Sequence, residues 1–183
     1  MFTTIALIVA VAIAALAFYA TTRPATFRVE RSASIKAPPD KIFPFLNDFH
    51  QWGAWSPWDK LDPAMQRTHS GSPQGNGAVY EWLGNSKVGQ GRMEIIEASA
   101  STKVSIKLDF IKPFEGHNIA DFTLEPKGDT TQVNWAMHGP SPYVSKLMGI
   151  FVSMDRMIGK DFESGLANLK AAAEKIAAPA AGV

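Results

Sequence analysis

The 183-residue chain contains no cysteine and has almost no excess of charge. The absence of cysteine excludes disulfides, thiolate nucleophiles and zinc sites built on cysteine. Lysine and arginine total 18 against 17 aspartates and glutamates, a formal net charge of +1. No basic block of the kind that marks nucleic-acid-binding proteins is present. We therefore expect one ordinary-sized domain without a nucleic-acid partner.

Charged side chains are also missing from the first 22 residues, Met1 to Thr22. As a helix, this segment would extend about 33 Å, against a hydrocarbon core of about 30 Å. A secretory signal begins with a basic region, which is lacking, although Ala15-Leu16-Ala17 offers a cleavage pattern. The segment favours an uncleaved single-pass anchor over a cleaved signal or a buried core helix. Arg23 and later basic residues follow it and slightly favour a cytoplasmic domain, unless they belong to a strand.

The motifs of common enzyme classes are missing as well. The histidines form no HExxH or other close metal spacing. No GxSxG elbow occurs, and the glycine-rich stretch 71–91 has neither GxGxxG nor a P-loop lysine. These glycines are typical of hairpin turns. We therefore expect no metal and no cofactor. The histidines are His50, His69, His117 and His138.

A one-sided helix is predicted from Ser145 to Ile176, where apolar residues recur in steps of three and four. At about 1.5 Å per residue it would be about 48 Å long. Gly149, Gly159 and Gly165 each cost about 1 kcal/mol in a helix interior, so they indicate close packing or a bend. Such a helix needs an apolar surface to lie on.

The segment between the anchor and this helix supplies that surface as strands. Phe27 to Lys36 alternates between apolar and polar residues, apart from Arg31. Arg31 is either a strand-end residue that snorkels, which we favour, or a group facing an anion in a cavity. A short helix begins near Pro38-Pro39-Asp40. Sequential hairpins from Met65 to His138 predict an antiparallel sheet with one wet face, and therefore an α+β fold.

Three tryptophans crowd into the seven residues from Trp52 to Trp58, with Trp55 between them. Gly53 and Pro57 exclude a regular helix there. The cluster favours an aromatic plug packed at one end of the domain. A wall that contacts a ligand and a belt that touches lipid remain as alternatives.

This order of elements resembles the START-like helix-grip (SRPBCC) superfamily, in particular its polyketide cyclase/dehydrase branch. The resemblance runs from about Phe27 to Ala177. It implies a curved antiparallel sheet of about seven strands wrapped round a long carboxy-terminal helix, with an apolar cavity between them. Members bind lipids, sterols or polyketides, and a minority are catalysts. The matching motifs include Ile35-Lys36-Ala37-Pro38-Pro39, Trp55-Ser56-Pro57-Trp58, Tyr80-Glu81-Trp82, Gly89-Gln90-Gly91, Thr131-Gln132-Val133-Asn134-Trp135 and Gly165-Leu166-Ala167-Asn168-Leu169-Lys170. We expect an anchor at 1–22, a helix-grip domain at 23–177 and a flexible tail at 178–183.

Large aromatic and flexible apolar side chains that should face inward are the candidate ligand-binding residues. A solidly packed core would use the same residues. Glu81 and His138 are weak candidates for acid–base catalysis. Glu81 faces water if Tyr80 and Trp82 face in, whereas burial would raise its pKa and suit it to proton donation. The candidate ligand-binding residues are Trp55, Trp82, Phe110, Phe122, Trp135, Met137, Phe151, Met154 and Ile158.

A large apolar inner face without a catalytic cluster predicts a membrane-anchored domain that binds a hydrophobic small molecule without converting it. Two alternatives remain. One is a cyclase or dehydratase-type enzyme that uses Glu81 or a histidine. The other is a membrane-tethered interaction module whose cavity is filled. Because fold alone does not decide function, only the geometry of a site can separate them.

Overall fold

The computed structural model describes residues 2–178. The predicted tail at 178–183 lies, apart from Ala178, outside the described residues. Two short 3₁₀ turns, Phe49–Ala54 and Trp58–Lys60, follow the second helix. The helices are α1 (Phe2–Thr22), α2 (Pro39–Asn47), α3 (Tyr143–Met148) and α4 (Met154–Ala177). The strands are β1 (Thr26–Ile35), β2 (Gln66–Gly71), β3 (Ala78–Leu83), β4 (Gln90–Ser99), β5 (Lys103–Lys112), β6 (Gly116–Lys127) and β7 (Thr130–Pro140).

The seven strands form one antiparallel sheet in the order β1-β7-β6-β5-β4-β3-β2. Helix α4 packs against one face of the sheet, which we call the inner face, and contacts β1 and α2. Five of the strands were apparent from alternation or hairpin signals, and β1 from its own alternation. Strand β2 was not singled out, because all six of its residues are exposed and leave no apolar pattern. The predicted α+β architecture is confirmed.

The long carboxy-terminal helix is not continuous, and its predicted start at Ser145 is wrong. Helix α3 ends at Gly149, and α4 begins only at Met154, where the Ser153 side chain accepts a hydrogen bond from the Arg156 N–H. Glycine is a poor helix former and serine a good amino-terminal cap, so these two residues place the break. Helix α3 instead contacts α1.

The glycines of α4 confirm the close packing expected of them. A Cβ at Gly165 would lie 2.8 Å from the Trp135 ring, and one at Gly159 would collide with the Arg31 guanidinium. Helix and sheet therefore approach more closely at these two positions than any larger residue allows.

Arg31 projects from β1 on the inner face and is held by α4. Its Nη1 donates to Asp155 Oδ1 at 2.7 Å, and its Nε donates to Glu163 Oε1 at 2.7 Å. These carboxylates raise its already high pKa. Neither expected role, snorkelling or facing an anion in a cavity, describes it, because both partners belong to the protein. Arg31 instead attaches the first half of α4 to the sheet.

The middle of the inner face is filled by aromatic rings. Trp135 stacks on Phe162 of α4 with ring centroids 4.0 Å apart. Trp55 packs edge-on against Trp135 at 5.5 Å, and its Nε1 donates to the Phe45 carbonyl at 2.9 Å. Trp52 lies 4.8 Å from Trp55. The tryptophan-rich segment thus forms a packed plug as the sequence favoured, but in the middle of the inner face and not at one end of the domain.

Candidate functional site on the inner face of the sheet

Three of the predicted ligand-binding residues lie in this plug. Trp55, Phe122 and Trp135 are all buried. Phe122 stacks on Trp135 at 5.0 Å, so the space between them is occupied by their own rings. The Trp135 Nε1–H is nevertheless buried without a hydrogen-bond partner among residues 2–178. An unpaired buried donor is costly, so this N–H subtracts from the stability that the packed plug provides.

Five other predicted residues border the plug at the end of the sheet where β5 ends and α4 begins. Trp82 and Met137 are buried, whereas Phe110, Met154 and Ile158 are only partly buried against the core. The inner face is therefore apolar at this end, and three of these side chains are only partly covered by the rest of the core.

Phe151 was expected to face inward, and that orientation is wrong. Its side chain is 69% exposed. The periodicity that placed it on the buried stripe assumed one unbroken helix. Because the chain leaves helical geometry after α3 and re-enters it at Met154, Phe151 points away from the sheet.

A groove of about 350 Å³ opens at the β2 side of the inner face. We call it the histidine groove. Side chains from the 3₁₀ turns form one wall, and side chains from β2 and β3 form the other. A smaller groove of about 150 Å³ adjoins it and shares Phe49, His50 and His69. The residues that line the histidine groove are Phe49, His50, Gly53, Asp59, Lys60, Arg67, His69 and Tyr80.

Two imidazole rings stack in this groove. The centroids of His50 and His69 are 4.2 Å apart, and the planes differ by 17°. His50 Nδ1 lies 2.9 Å from Asp48 Oδ1. Burial, and secondarily the nearby His50, lowers the pKa of His69. His69 is therefore neutral near pH 7 and presents both a hydrogen-bond donor and an acceptor.

The opposite wall carries an arginine and a phenol. Arg67 Nε donates to Asp59 Oδ1 at 2.9 Å, and its Nη1 donates to the Met65 carbonyl at 2.9 Å. Burial raises the pKa of Tyr80 to about 12, so its hydroxyl remains a neutral hydrogen-bond donor. Together with exposed Lys60, these groups give the groove a polar, partly basic lining.

A line of aromatic rings connects the histidine groove to the incompletely covered end of the inner face. Phe49 lies 5.8 Å from Tyr80, Tyr80 lies 6.1 Å from Trp82, and Trp82 lies 6.0 Å from Phe110, measured between ring centroids. We call these four rings the aromatic path. Trp82 can lie flat because Gly91 beneath it has no side chain. The polar groove and the apolar end are thus joined through the core by rings of which Phe49, Tyr80 and Trp82 are buried.

The two acid–base candidates lie on the other face of the sheet. Glu81 is exposed between buried Tyr80 and Trp82, as expected when those neighbours face in. His138 is partly exposed, and its Nε2 lies 3.1 Å from Asp121 Oδ2. Asp121 also accepts a 2.5 Å hydrogen bond from Ser105. The sheet therefore separates Glu81 and His138 from the histidine groove.

The sequence did not single out the groove residues His50, Asp59, Arg67 and His69 as a site. They lie in 3₁₀ turns and in a fully exposed edge strand, where neither helical nor strand periodicity operates. Pairing of His69 with Tyr80 in the β2–β3 ladder is what brings them together. Within residues 2–178, no group of three His, Asp or Glu side chains is arranged to hold a metal ion.

Comparison with known protein families identifies the family to which this domain belongs. Residues 26–174 match the family described as polyketide cyclase/dehydrase and lipid transport. The chain belongs to this family. No curated protein matches the chain in sequence.

Solved structures share the fold of this polyketide cyclase/dehydrase family member. A protein from Nitrosospira multiformis is 21% identical with a TM-score of 0.58, covering 79% of this chain and 94% of its own. A protein from Chromobacterium violaceum is 15% identical with a TM-score of 0.55, covering 86% and 100%. The Aha1 protein from Colwellia psychrerythraea, solved as a dimer, is 18% identical with a TM-score of 0.56, covering 81% and 96%. The expected helix-grip fold is thereby confirmed.

Proposed function

We propose that this domain binds an amphipathic hydrophobic molecule on the inner face of its sheet and does not convert it. The observation that carries the proposal is the aromatic path, which leads from a polar groove to an apolar, partly open end of the core. A purely apolar ligand would make no hydrogen bonds in the groove, and a purely polar ligand would not pack against the rings of the aromatic path. The family, described as including lipid transport, supports a lipophilic ligand.

The histidine groove would hold the polar end of the ligand. Arg67 already shares its charge with Asp59, and His50 lies against Asp48. The remaining donors are the Tyr80 hydroxyl, neutral His69 and Lys60. Such a set suits a carboxylate, a hydroxyl or a carbonyl rather than a multiply charged phosphate.

The apolar part of the ligand would follow Trp82 to Phe110 and the side chains of Met137, Met154 and Ile158. Methionine side chains adapt to irregular apolar shapes, and aromatic rings provide large flat contacts. These five residues are among those that the sequence suggested for ligand contact.

The amino-terminal helix would tether the domain to a membrane. Helix α1 is long and apolar enough to cross a bilayer, and its spanning window is not buried in the protein. We favour an uncleaved single-pass anchor with a cytoplasmic domain, because a basic signal region is lacking and Arg23 follows the span. A tether of this kind keeps a lipid-binding domain beside its source of ligand.

Binding is tested on the full chain in nanodiscs with a fluorescent fatty acid as the probe. Arg67→Ala should weaken binding about tenfold, because it leaves the Asp59 carboxylate unpaired in the groove, where it repels the carboxylate of the probe. Trp82→Leu should weaken it comparably by interrupting the aromatic path. The matched control is Arg92→Ala. Arg92 also pairs with a carboxylate, and its side chain is 32% exposed against 30% for Arg67, but it lies on the outer face. Equal affinities in all variants, or no binding of the probe or of any lipid in a panel, would contradict the proposal.

An enzyme of the cyclase or dehydratase type is the second candidate, and the histidine groove favours it. A neutral His69 beside the Tyr80 hydroxyl offers a base and an acid within one site. Incubation of a β-hydroxy thioester with the protein would release water if this were the activity. His69→Gln should abolish that release, whereas Glu81→Gln should leave it unchanged.

An interaction module is the third candidate, favoured by the filled plug around Trp135 and Phe162. It predicts that no lipophile co-purifies with the full chain in native mass spectrometry. That result, together with unaltered tryptophan fluorescence of the full chain in the presence of the lipid panel, would support this candidate over binding.

A further inference from the structure

A patch of exposed apolar side chains lies at the end of the domain from which α1 departs. Strand β1 begins there at Thr26, paired with Pro140 at the end of β7. The turn between β5 and β6 lies at the same end, because Phe110 pairs with Gly116. This turn lies two to three strand spacings from β1, about 10–14 Å. We call this end of the sheet the anchor-side end.

The patch is contributed by two separate parts of the chain. The β5–β6 turn exposes Ile111 and Phe114, the latter to 73%. Helix α3 and the segment after it expose Val144 to 65% and Phe151 to 69%. Isolated exposed apolar residues are ordinary on a protein surface, whereas a group at one end of the molecule marks an interface. The other members of the patch are Tyr143, Met148 and Val152.

The position of α3 beside α1 identifies what covers this patch. Tyr143 Oη donates to the Ala17 carbonyl at 3.0 Å, and Arg23 Nη2 donates to the Gly149 carbonyl at 3.5 Å. Ala17 lies five residues before the end of α1, about 7.5 Å along the helix axis. Because α1 needs nearly its whole length to cross about 30 Å of hydrocarbon, the Ala17 carbonyl lies up to about 7.5 Å inside the hydrocarbon boundary, and Tyr143 is brought to the outer part of the acyl chains next to the headgroups. Tyrosine is enriched at that depth in membrane proteins.

We propose that the anchor-side end of the domain docks on the membrane that α1 spans, with Phe114, Val144 and Phe151 inserted at the level of the headgroups. This inference rests on the proposed membrane span of α1. Two parts of the chain that are distant in sequence, α3 with its following segment and the β5–β6 turn, reach the same leaflet. Phe110, the last ring of the aromatic path, immediately precedes Ile111. Docking therefore brings the open end of the candidate ligand site to the bilayer surface, where a lipophilic molecule enters without crossing water.

The proposal can be tested by site-specific labelling. Because the chain has no cysteine of its own, a thiol-reactive fluorophore attaches only at the single cysteine that is introduced. Full chains carrying a fluorophore at Phe114→Cys, Val144→Cys or Phe151→Cys are placed singly in nanodiscs whose lipids are brominated near the headgroup end of the acyl chain. All three labels should be quenched. The matched control is Ile96→Cys on β4, an apolar position 45% exposed but about 20 Å from the anchor-side end, which should stay bright. Ile8→Cys within α1 reports on the span itself.

The outcomes separate the docking from the span. Quenching at Ile8 without quenching at Phe114, Val144 and Phe151 would overturn the docking and leave the span intact. No quenching at Ile8 would overturn both. A nanodisc loaded with one copy of the chain allows no contact between copies, whereas a densely loaded liposome does. Quenching that appears only in densely loaded liposomes would therefore assign the patch to a contact between copies, and would overturn docking on lipid.

Discussion

At the scale of single residues, the close approach of the Trp135 ring is what requires glycine at position 165. The Trp135 ring and Pro57 both lie where a side chain at this position would begin. Helix propensity by itself favours alanine over glycine by about 1 kcal/mol, so the requirement comes from packing and not from the helix.

Gly165→Ala should therefore destabilise the protein by about 1–3 kcal/mol, since overpacking costs more than the gain in propensity. Thermal unfolding of the full chain in detergent micelles measures the change. Ser164→Ala, on the exposed side of the same turn, is the matched control and should change stability by less than about 0.5 kcal/mol. Equal unfolding temperatures for the two variants would show that Trp135 moves aside without cost.

His69 and His117 should make the free energy of unfolding depend on pH in opposite directions. Burial lowers the pKa of His69 from 6.5, so the unfolded chain binds its proton more readily. Its contribution to stability is full above pH 6.5 and falls as the pH drops through the folded pKa. The hydrogen bond to Asp109 raises the pKa of His117 from 6.5. Its contribution is full below pH 6.5 and is lost as the pH rises through the folded pKa.

Substitution of each histidine should isolate these contributions. Relative to wild type, His69→Gln should remove a decrease in stability on the acid side of pH 6.5. His117→Gln should remove a decrease on the alkaline side. Urea unfolding at a series of pH values measures both. Difference curves of the same sign for the two variants would show that partial desolvation in the groove does not set the pKa of His69.

At the scale of elements, α4 is attached to the sheet in two ways. Its second half packs through buried Leu166, Leu169 and Ala173. Its first half buries Phe162 and two glycines, and it is attached in addition through the ion pairs of Arg31 with Asp155 and Glu163. Hydrophobic burial is insensitive to salt, whereas ion pairs with exposed carboxylates are screened, so the two halves should respond differently to the solvent.

Arg31→Met should loosen the first half of α4 and leave the second half unchanged. Hydrogen exchange followed by mass spectrometry should show faster exchange of the amides from Met154 to Glu163, with little change from Leu166 to Ala173. Arg28→Met is the matched control, because Arg28 pairs only with Glu30 on its own strand. Faster exchange along all of α4 would show that the helix moves as one unit.

At the scale of the whole molecule, the parts that periodicity governs could be predicted. Strands β3 to β7 and most of α4 bury one face each, so their apolar residues recur at spacings of two or of three and four. The break between α3 and α4 was missed because the apolar steps continue through Leu147, Ile150 and Phe151 as if no break occurred. The break is placed by Gly149 and by the Ser153 cap, and α3 then packs against α1.

The candidate site could be predicted only for its apolar half. Trp82, Phe110 and Met137 follow from strand alternation, since it decides which face they occupy. Arg67 and His69 lie on an edge strand exposed on both sides, and His50 lies in a 3₁₀ turn, so nothing in the pattern marks them. Their proximity arises from strand pairing and from the fold of the 3₁₀ segment, which depend on the whole chain.

The contact between Arg31 and Gly159 couples two positions that are far apart in the chain. The guanidinium occupies the volume that any side chain at 159 would need. A side chain at 159 therefore requires the guanidinium to move away from its ion pairs with Asp155 and Glu163, or the arginine to be exchanged for a shorter residue. Homologous sequences should accordingly show these two columns changing together, arginine with glycine and a small neutral residue with alanine or serine.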